Sequence, residues 1–131
     1  MTAIASRPNK LSNIIAFESG VEYGYCRETV TVTVKAGMDI GAALKLSGGK
    51  YVWIDQAGSA TLTGGVAVLV DHFADVPNLA AGDHELAVLI RGGDTGITSA
   101  ALLYDGAVDA PGKARMVTQL AVQGIVDRVQ V

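Results

Sequence analysis

The sequence has few of the residues that would indicate disulfide bonding, nucleic-acid binding or membrane insertion. Aromatic residues make up 5% and charged residues 18% of the 131 residues, and the formal net charge is −3. Lysine and arginine occur singly and form no basic stripe, which predicts no nucleic-acid partner. No apolar run reaches the roughly 18 residues that a membrane-spanning helix needs, so we expect no membrane partner.

The sequence has a single cysteine, Cys26, so an intrachain disulfide is excluded. We interpret Cys26 as a buried structural thiol, since a reactive nucleophile needs histidine and acid partners that the spacing does not suggest. The first ten residues, MTAIASRPNK, lack the apolar core of a secretory signal peptide. The sequence therefore predicts synthesis in a reducing cytoplasm, with the protein kept there or released when the cell breaks open.

Hydrophobic residues and glycine are abundant by contrast. Half of the residues are hydrophobic and sixteen are glycine, which favours short strands and turns over long helices. A chain of this length suits one domain, which buries roughly two-thirds of the surface of the unfolded chain. Apolar surface in excess of such a core usually belongs to an interface, so the composition predicts an oligomer.

Alternating and continuous apolar segments predict the strands. From Arg27, ETVTVTVKAG alternates valine with threonine, as in a half-buried strand. The segment AALKLSGGKYVWID predicts a hairpin that turns at Ser47-Gly48-Gly49. The apolar segments GGVAVLVDHF and ELAVLIRGG predict two neighbouring central strands, joined by a loop over residues 77–83. The tail IVDRVQV predicts a last strand.

One helix is predicted, in the segment DAPGKARMVTQLAVQGI. Asp109 is a candidate N-cap, Pro111 suits the first turn, and Gly124 is a candidate stop. The predicted apolar face consists of Met116, Val117, Leu120 and Ala121. We expect an α+β fold, a small β-rich domain of short strands and loops with one C-terminal helix packed on the sheet.

The segment LAVLIRGGDTGI resembles the start of a phosphate-binding loop without completing it. A P-loop requires lysine and then serine or threonine after the glycines, whereas Asp94 follows Gly93 and would repel phosphate. The dinucleotide pattern G-x-G-x-x-G is also missing. We interpret this segment as a turn after a buried strand, with Arg91 either paired to a nearby carboxylate or placed at a subunit boundary.

Other catalytic and metal-binding patterns are weak. Two Asp-His pairs, at residues 71–72 and 83–84, offer ligands of the kind that zinc uses, but these residue types are common at strand ends. No G-x-S-x-G motif occurs, and Asp55 after YVWI is the one carboxylate that suggests acid–base chemistry, but aspartates at strand ends are common. The sequence therefore predicts no enzyme, no cofactor and no metal site.

The order of the segments resembles the head decoration, or capsid cement, proteins of tailed bacteriophages of the lambda type. In that family, a strand and an A-G-x-x-[IL]-G-x-x-L segment precede a GKY hairpin, a VLV…D strand, a VLVRGG-like strand, a helix and a terminal G-I. The resemblance covers Arg27 to Arg128. The corresponding segments here are Ala36 to Leu44, Gly49 to Tyr51, Val68 to Asp71, Val88 to Gly93, and Gly124-Ile125.

The resemblance implies a structural virion protein with no catalytic residues. It implies a homotrimer on the outer surface of the expanded capsid, bound to the major capsid protein at three-fold and quasi-three-fold positions. Such a protein stabilises the shell against the pressure of packaged DNA. The expected domains are a capsid-docking arm over residues 1–25 and a head decoration domain over residues 26–131. From composition and position we predict that the docking residues are Leu11, Ile14, Ile15 and Phe17.

Two other function classes remain open at this stage. One is a β-rich carbohydrate- or protein-binding module displayed on a surface, in which Trp53 beside Tyr51 stacks on a sugar. In a chain with one tryptophan, a position of Trp53 in or near the core is the preferred interpretation. The other is a small enzyme, for which the two Asp-His pairs would have to bind a metal.

Overall fold

The fold is known from a computed structural model, which describes residues 14–17, 27–71, 73–91 and 95–127. The strands are β1 (Ile15–Phe17), β2 (Arg27–Val34), β3 (Ala43–Ser47), β4 (Lys50–Trp53), β5 (Val66–Leu69), β6 (Gly82–Leu89), β7 (Thr95–Ile97) and β8 (Ile125–Asp127). The helices are α1 (Gln56–Ala60) and α2 (Ala110–Val122). The α+β prediction, a small β-rich domain with its main helix at the C-terminus, is confirmed.

Five strands form a closed barrel in the order β2-β4-β3-β5-β6. The barrel closes because β6 pairs antiparallel with β2 over eight residues, from Arg27 opposite Leu89 to Val34 opposite Gly82. The pairing of β2 with β4 is parallel and has one registered pair, Val32 opposite Tyr51. The remaining strands form a small sheet in the order β1-β7-β8. No helix in the described ranges is long and apolar enough to cross a membrane.

The β3–β4 hairpin turns where the sequence predicts it. Ser47 lies opposite Lys50, so the loop has two residues, Gly48 and Gly49. Their φ angles are +59° and +83°, and a two-residue turn with positive φ at both positions matches the twist of the flanking strands. Glycine adopts such angles without the steric cost that a Cβ adds, which is why this pair specifies the turn.

The core has two parts, and β5 belongs to both. Side chains from one face of the five barrel strands fill the barrel interior, among them Val32, Leu44, Tyr51, Leu69 and Val88. A second cluster lies outside the barrel and joins it to α2 and the small sheet, through Val66, Val68, Leu89, Met116, Leu120 and Ile125. Because alternate residues of β5 face opposite clusters, all four are buried. This explains the continuous apolar run, and the predicted neighbour relation of β5 and β6 is confirmed.

Helix α2 begins and ends as its sequence predicts, but its buried face is narrower. An Asp109 carboxylate oxygen accepts a hydrogen bond from Gly112 N at 2.9 Å, which satisfies one free N–H of the first turn. Met116 and Leu120 are buried, whereas Ala121 is exposed. The prediction of Ala121 as a core residue is wrong, because α2 packs along α1, β5 and β8 through the side that holds Met116 and Leu120.

Two local predictions need correction. The predicted loop over 77–83 is shorter, because Gly82 and Asp83 pair with the last residues of β2 and extend β6. A 3₁₀ turn at Val76–Asn78 occupies part of that loop. Helix α1 has no counterpart in the prediction, although Asp55 caps it with an Oδ1 that accepts a hydrogen bond from Gly58 N at 2.7 Å. Its five residues are too few for a helical period to show in the sequence.

Gly112, in the first turn of α2, has no room for a side chain. A Cβ there would lie 2.3 Å from Ser59 Oγ and 2.8 Å from Val108 Cγ1, and Ser59 is fully buried in α1. Alanine normally favours a helix over glycine by about 1 kcal/mol. We expect Gly112→Ala to lower the free energy of unfolding by about 1–3 kcal/mol instead, because α1 and α2 must separate. Urea unfolding measures the change, and Thr118→Ala, at an exposed position of the same helix, is the control that should not destabilise.

Candidate functional site

The described part of the predicted docking arm is built into the domain. Ile14 is fully buried in the cluster between the barrel and α2, and its carbonyl oxygen accepts a hydrogen bond from Thr98 N at 2.8 Å. Strand β1 follows at once and pairs antiparallel with β7, with Ile15 opposite Ile97. Residues 15–17 of the predicted docking arm therefore form a strand of the small sheet.

The four predicted docking residues differ in their place in this arrangement. Leu11 lies outside the described residues. Ile14 is part of the core, so its side chain reaches a partner only if β1 detaches from the sheet. Ile15 and Phe17 lie on a strand whose backbone pairs with β7. The docking role of these residues and the domain boundary between residues 25 and 26 stay predictions. Residues 14–17 pack against and pair with the rest of the domain.

The small sheet has two outer strands, β1 and β8, on either side of β7. Strand β8 runs parallel to β7, with Gly96 opposite Val126, and no other described strand pairs with its outer edge. The Asp127 carboxylate fixes the end of β8 by accepting hydrogen bonds from Ser99 N at 2.9 Å and Ser99 Oγ at 2.8 Å. An outer strand with unpaired backbone groups can accept an added strand from another chain.

Large apolar side chains are exposed at several positions. Phe73, between β5 and β6, has an exposed fraction of 86%, and Val122, at the end of α2, has 77%. Leu46 and Val126 are about half exposed. Single exposed apolar side chains are normal on a protein surface, whereas a contiguous apolar patch marks a surface that another protein covers.

Arg91 lies two residues after the end of β6, where Leu89 pairs with the start of β2. Its Nη2 is 3.2 Å from Oε2 of Glu28, and both side chains are partly exposed. The predicted pairing of Arg91 with a carboxylate is confirmed. Because an exposed ion pair contributes about 0–1 kcal/mol, this contact adds little to stability. The placement of Arg91 at a subunit boundary stays a prediction, and Gly92 to Asp94 lie outside the described residues.

The described members of the two Asp-His pairs hold the fold together by hydrogen bonds. Asp71 Oδ2 accepts from Ala87 N at 3.1 Å, and His84 Nε2 donates to Ala80 O at 2.7 Å. Asp83 accepts from Thr33 Oγ1 at 2.8 Å and also pairs with Lys50. The partner residue His72 is outside the described residues. Within the described ranges, no three histidine, cysteine or carboxylate side chains are grouped so that they could hold a metal.

Several titratable side chains have pKa values that the structure moves further from pH 7. Hydrogen bonds from Lys50 and Thr33 lower the pKa of Asp83, and the hydrogen bond to Asp105 raises the pKa of Lys35. Burial raises the pKa of Tyr104 to about 12. A general acid or base works best with a pKa near the operating pH, so these shifts are of the kind that structural contacts produce.

Trp53 lies at the end of β4, packed against the barrel interior. Its Nε1 donates a hydrogen bond to Leu103 O at 3.0 Å. The preferred interpretation of Trp53 as a residue near the core is confirmed, and Tyr51 is buried and so does not form an exposed aromatic pair with it. Trp53 is nevertheless among the residues that line a surface groove of about 470 Å³, together with residues of β2, β3 and α1.

Comparisons with known proteins do not place the chain in a family. No family model, no curated protein and no solved structure matches it. A functional assignment therefore rests on the order of the sequence segments and on the geometry of the fold.

Proposed function

We propose that the chain is a head decoration protein, a structural virion protein that binds the outer surface of an expanded phage capsid. It binds the major capsid protein as a homotrimer at three-fold and quasi-three-fold positions and stabilises the shell against the pressure of packaged DNA. The observation that carries the proposal is the order of the segments from Arg27 to Arg128, which resembles the lambda-type family. The N-terminal segment supplies the capsid contact.

The architecture suits a protein that reinforces a shell. Five of the strands close into a barrel, and a closed barrel leaves no strand edge of its own open to aggregation. The small sheet, in contrast, has outer strands at β1 and β8, and β1 belongs to the segment that the proposal assigns to docking. Backbone hydrogen bonds at such an edge can hold an added strand with little demand on sequence.

A trimer would bury apolar surface that a single subunit exposes. Three copies around an axis bury one surface patch of each subunit in a closed set of identical contacts. Phe73 and Val122 are the most exposed of the large apolar side chains described. Three docking segments on one trimer also engage the shell together, so that weak contacts per segment combine through a high effective concentration.

Binding to one state of the shell is sufficient to stabilise it. A ligand that binds the expanded lattice and not the unexpanded one shifts the equilibrium by RT ln(1 + [L]/Kd), about 2.7 kcal/mol per site at a hundredfold excess over Kd. The formal net charge of −3 suits an outward-facing surface better than one that faces DNA. No catalytic group is needed for this function.

Co-sedimentation with capsids tests the proposal. Purified protein is mixed with expanded and with unexpanded capsids of the encoding phage, both prepared without the protein. We expect saturable binding to the expanded shell alone, at three copies per site. Absence of binding to both shells would contradict the proposal, and equal binding to the two would contradict its stabilising mechanism.

Sedimentation velocity of the free protein is the matched control for the trimer. We expect a species of three times the mass of the chain. If the free protein is a monomer that still binds expanded capsids, the proposed capsid function stands. The proposal that the trimer forms before binding is then contradicted.

A further inference from the structure

The groove beside Trp53 points to a second function, independent of capsid attachment. We propose that it binds one pyranose ring of a neutral saccharide, with the ring seated on Trp53 and its hydroxyl groups bonded to Lys45 and Asp55. Strands β2, β3 and β4 and helix α1 build the groove. It has no part in the docking proposed for the N-terminal segment.

The groove lies along the seam of the barrel that has the fewest registered residue pairs. Strands β2 and β4 have one registered pair, Val32 opposite Tyr51, whereas β2 pairs with β6 along its whole length. Past that pair, Thr33 and Lys35 line one side of the groove, and Val52 and Trp53 line another. Its volume of about 470 Å³ falls within the roughly 300–1,000 Å³ of small-molecule sites.

The indole of Trp53 is held in place before any ligand arrives. The hydrogen bond from Nε1 to Leu103 O fixes its polar edge. Its Cη2 lies 3.9 Å from the position that a Cβ at Gly37 would occupy, so Gly37 lies beside the far end of the ring. A fixed aromatic surface binds an apolar ring face without the entropy loss of ordering a mobile side chain.

Lys45 and Asp55 meet above Gly58, within the groove. A Cβ at Gly58 would lie 3.1 Å from Asp55 Oδ1 and 3.4 Å from Lys45 Nζ. The backbone of Gly58 is helical without a positive φ, so its conformation does not call for glycine. Because Gly58 has no side chain, the Lys45 ammonium and the Asp55 carboxylate can lie side by side, one as a hydrogen-bond donor and the other as an acceptor.

The charges around the groove favour a neutral ligand. Lys35 forms an ion pair with Asp105 at its border, and Lys45 and Asp55 contribute one charge of each sign. Two lysines and two aspartates leave no net charge to attract a phosphate or a cation. A pyranose ring offers both kinds of contact that this surface can make. Its apolar C–H face packs on the indole, and its adjacent hydroxyl groups accept a hydrogen bond from Lys45 and donate one to Asp55.

Fluorescence titration tests the proposal directly, because Trp53 is the single tryptophan of the chain. The probes are methyl α-glucopyranoside, methyl β-galactopyranoside and N-acetylglucosamine, with a blocked tetra-alanine peptide as the comparison. We expect a saturable change in emission with at least one saccharide. The ligand efficiency of small molecules implies a dissociation constant on the order of 1 mM.

Substitutions locate the binding to the groove. We expect Lys45→Met and Asp55→Asn to weaken saccharide binding about tenfold or more, because each removes a charge-assisted hydrogen bond. The asparagine side chain in Asp55→Asn keeps an oxygen that can cap α1, so the fold should persist. Lys50→Met is the control, since Lys50 pairs with Asp83 at the far end of the hairpin and does not line the groove.

Three results would overturn the proposal. The first is that no saccharide changes the emission of Trp53 at concentrations above the expected dissociation constant. The second is that Lys45→Met and Asp55→Asn bind the saccharide as tightly as Lys50→Met does. A response to the peptide and to none of the saccharides would assign the groove to peptides instead. Far-ultraviolet circular dichroism of each variant confirms that a loss of binding is not a loss of fold. None of these outcomes tests the proposed capsid attachment, which the co-sedimentation experiment tests by itself.

Discussion

Leu120→Asp should abolish or nearly abolish the folded state. Leu120 is 1% exposed in the cluster that joins α2 to the barrel, so the substitution places an unpaired carboxylate among apolar side chains. Such a change costs about 4–5 kcal/mol or more, a large part of the roughly 5–15 kcal/mol that keeps a domain folded. Urea unfolding followed by circular dichroism measures the loss.

Ala121→Asp is the matched control for this prediction. Ala121 is the next residue of the same helix and belongs to the apolar face that the sequence predicts, but it is exposed in the structure. The same charge there should lower the free energy of unfolding by no more than about 1 kcal/mol beyond the helix propensity of aspartate, the upper range for a carboxylate at the negative end of the helix dipole. Equal losses from the two variants would show that the orientation of α2 is wrong.

Ile14→Ala should lower the free energy of unfolding by about 2–5 kcal/mol, the range for removal of a buried isoleucine side chain beyond Cβ. The side chain of Ile14 is fully buried, and its carbonyl group ties the start of β1 to Thr98. The cavity would lie between the barrel, α2 and the small sheet. Thermal and urea unfolding of the variant measure the effect.

The same variant separates a core role for Ile14 from a docking role. Thr118→Ala is the control, because Thr118 is exposed on α2 and its side chain should contribute little to stability. If Ile14→Ala unfolds like the wild type but loses capsid binding, Ile14 is a docking residue and β1 detaches on the capsid. If it is destabilised and the folded fraction still binds, docking belongs to other residues of the N-terminal segment.

The sequence by itself determined the elements whose causes are local. Alternation of valine and threonine specifies β2, since one face of that strand fills the barrel. Gly48-Gly49 specifies a two-residue turn because of its φ angles. Asp109 specifies the start of α2 because its carboxylate reaches Gly112 N within the same turn. Each of these signals acts across a few residues, so the fold class was predictable.

The tertiary structure decided what depends on residues far apart in the chain. The barrel closes through the pairing of β2 with β6, which places Gly82 and Asp83 in a strand instead of a loop. Ile14 is buried because β1 pairs with β7, a strand that follows the whole barrel in the sequence. The Trp53 groove forms where parallel β2 and β4 meet at one pair. No local period or turn signal encodes such contacts, because their free energy comes from burial and pairing that exist only in the assembled fold.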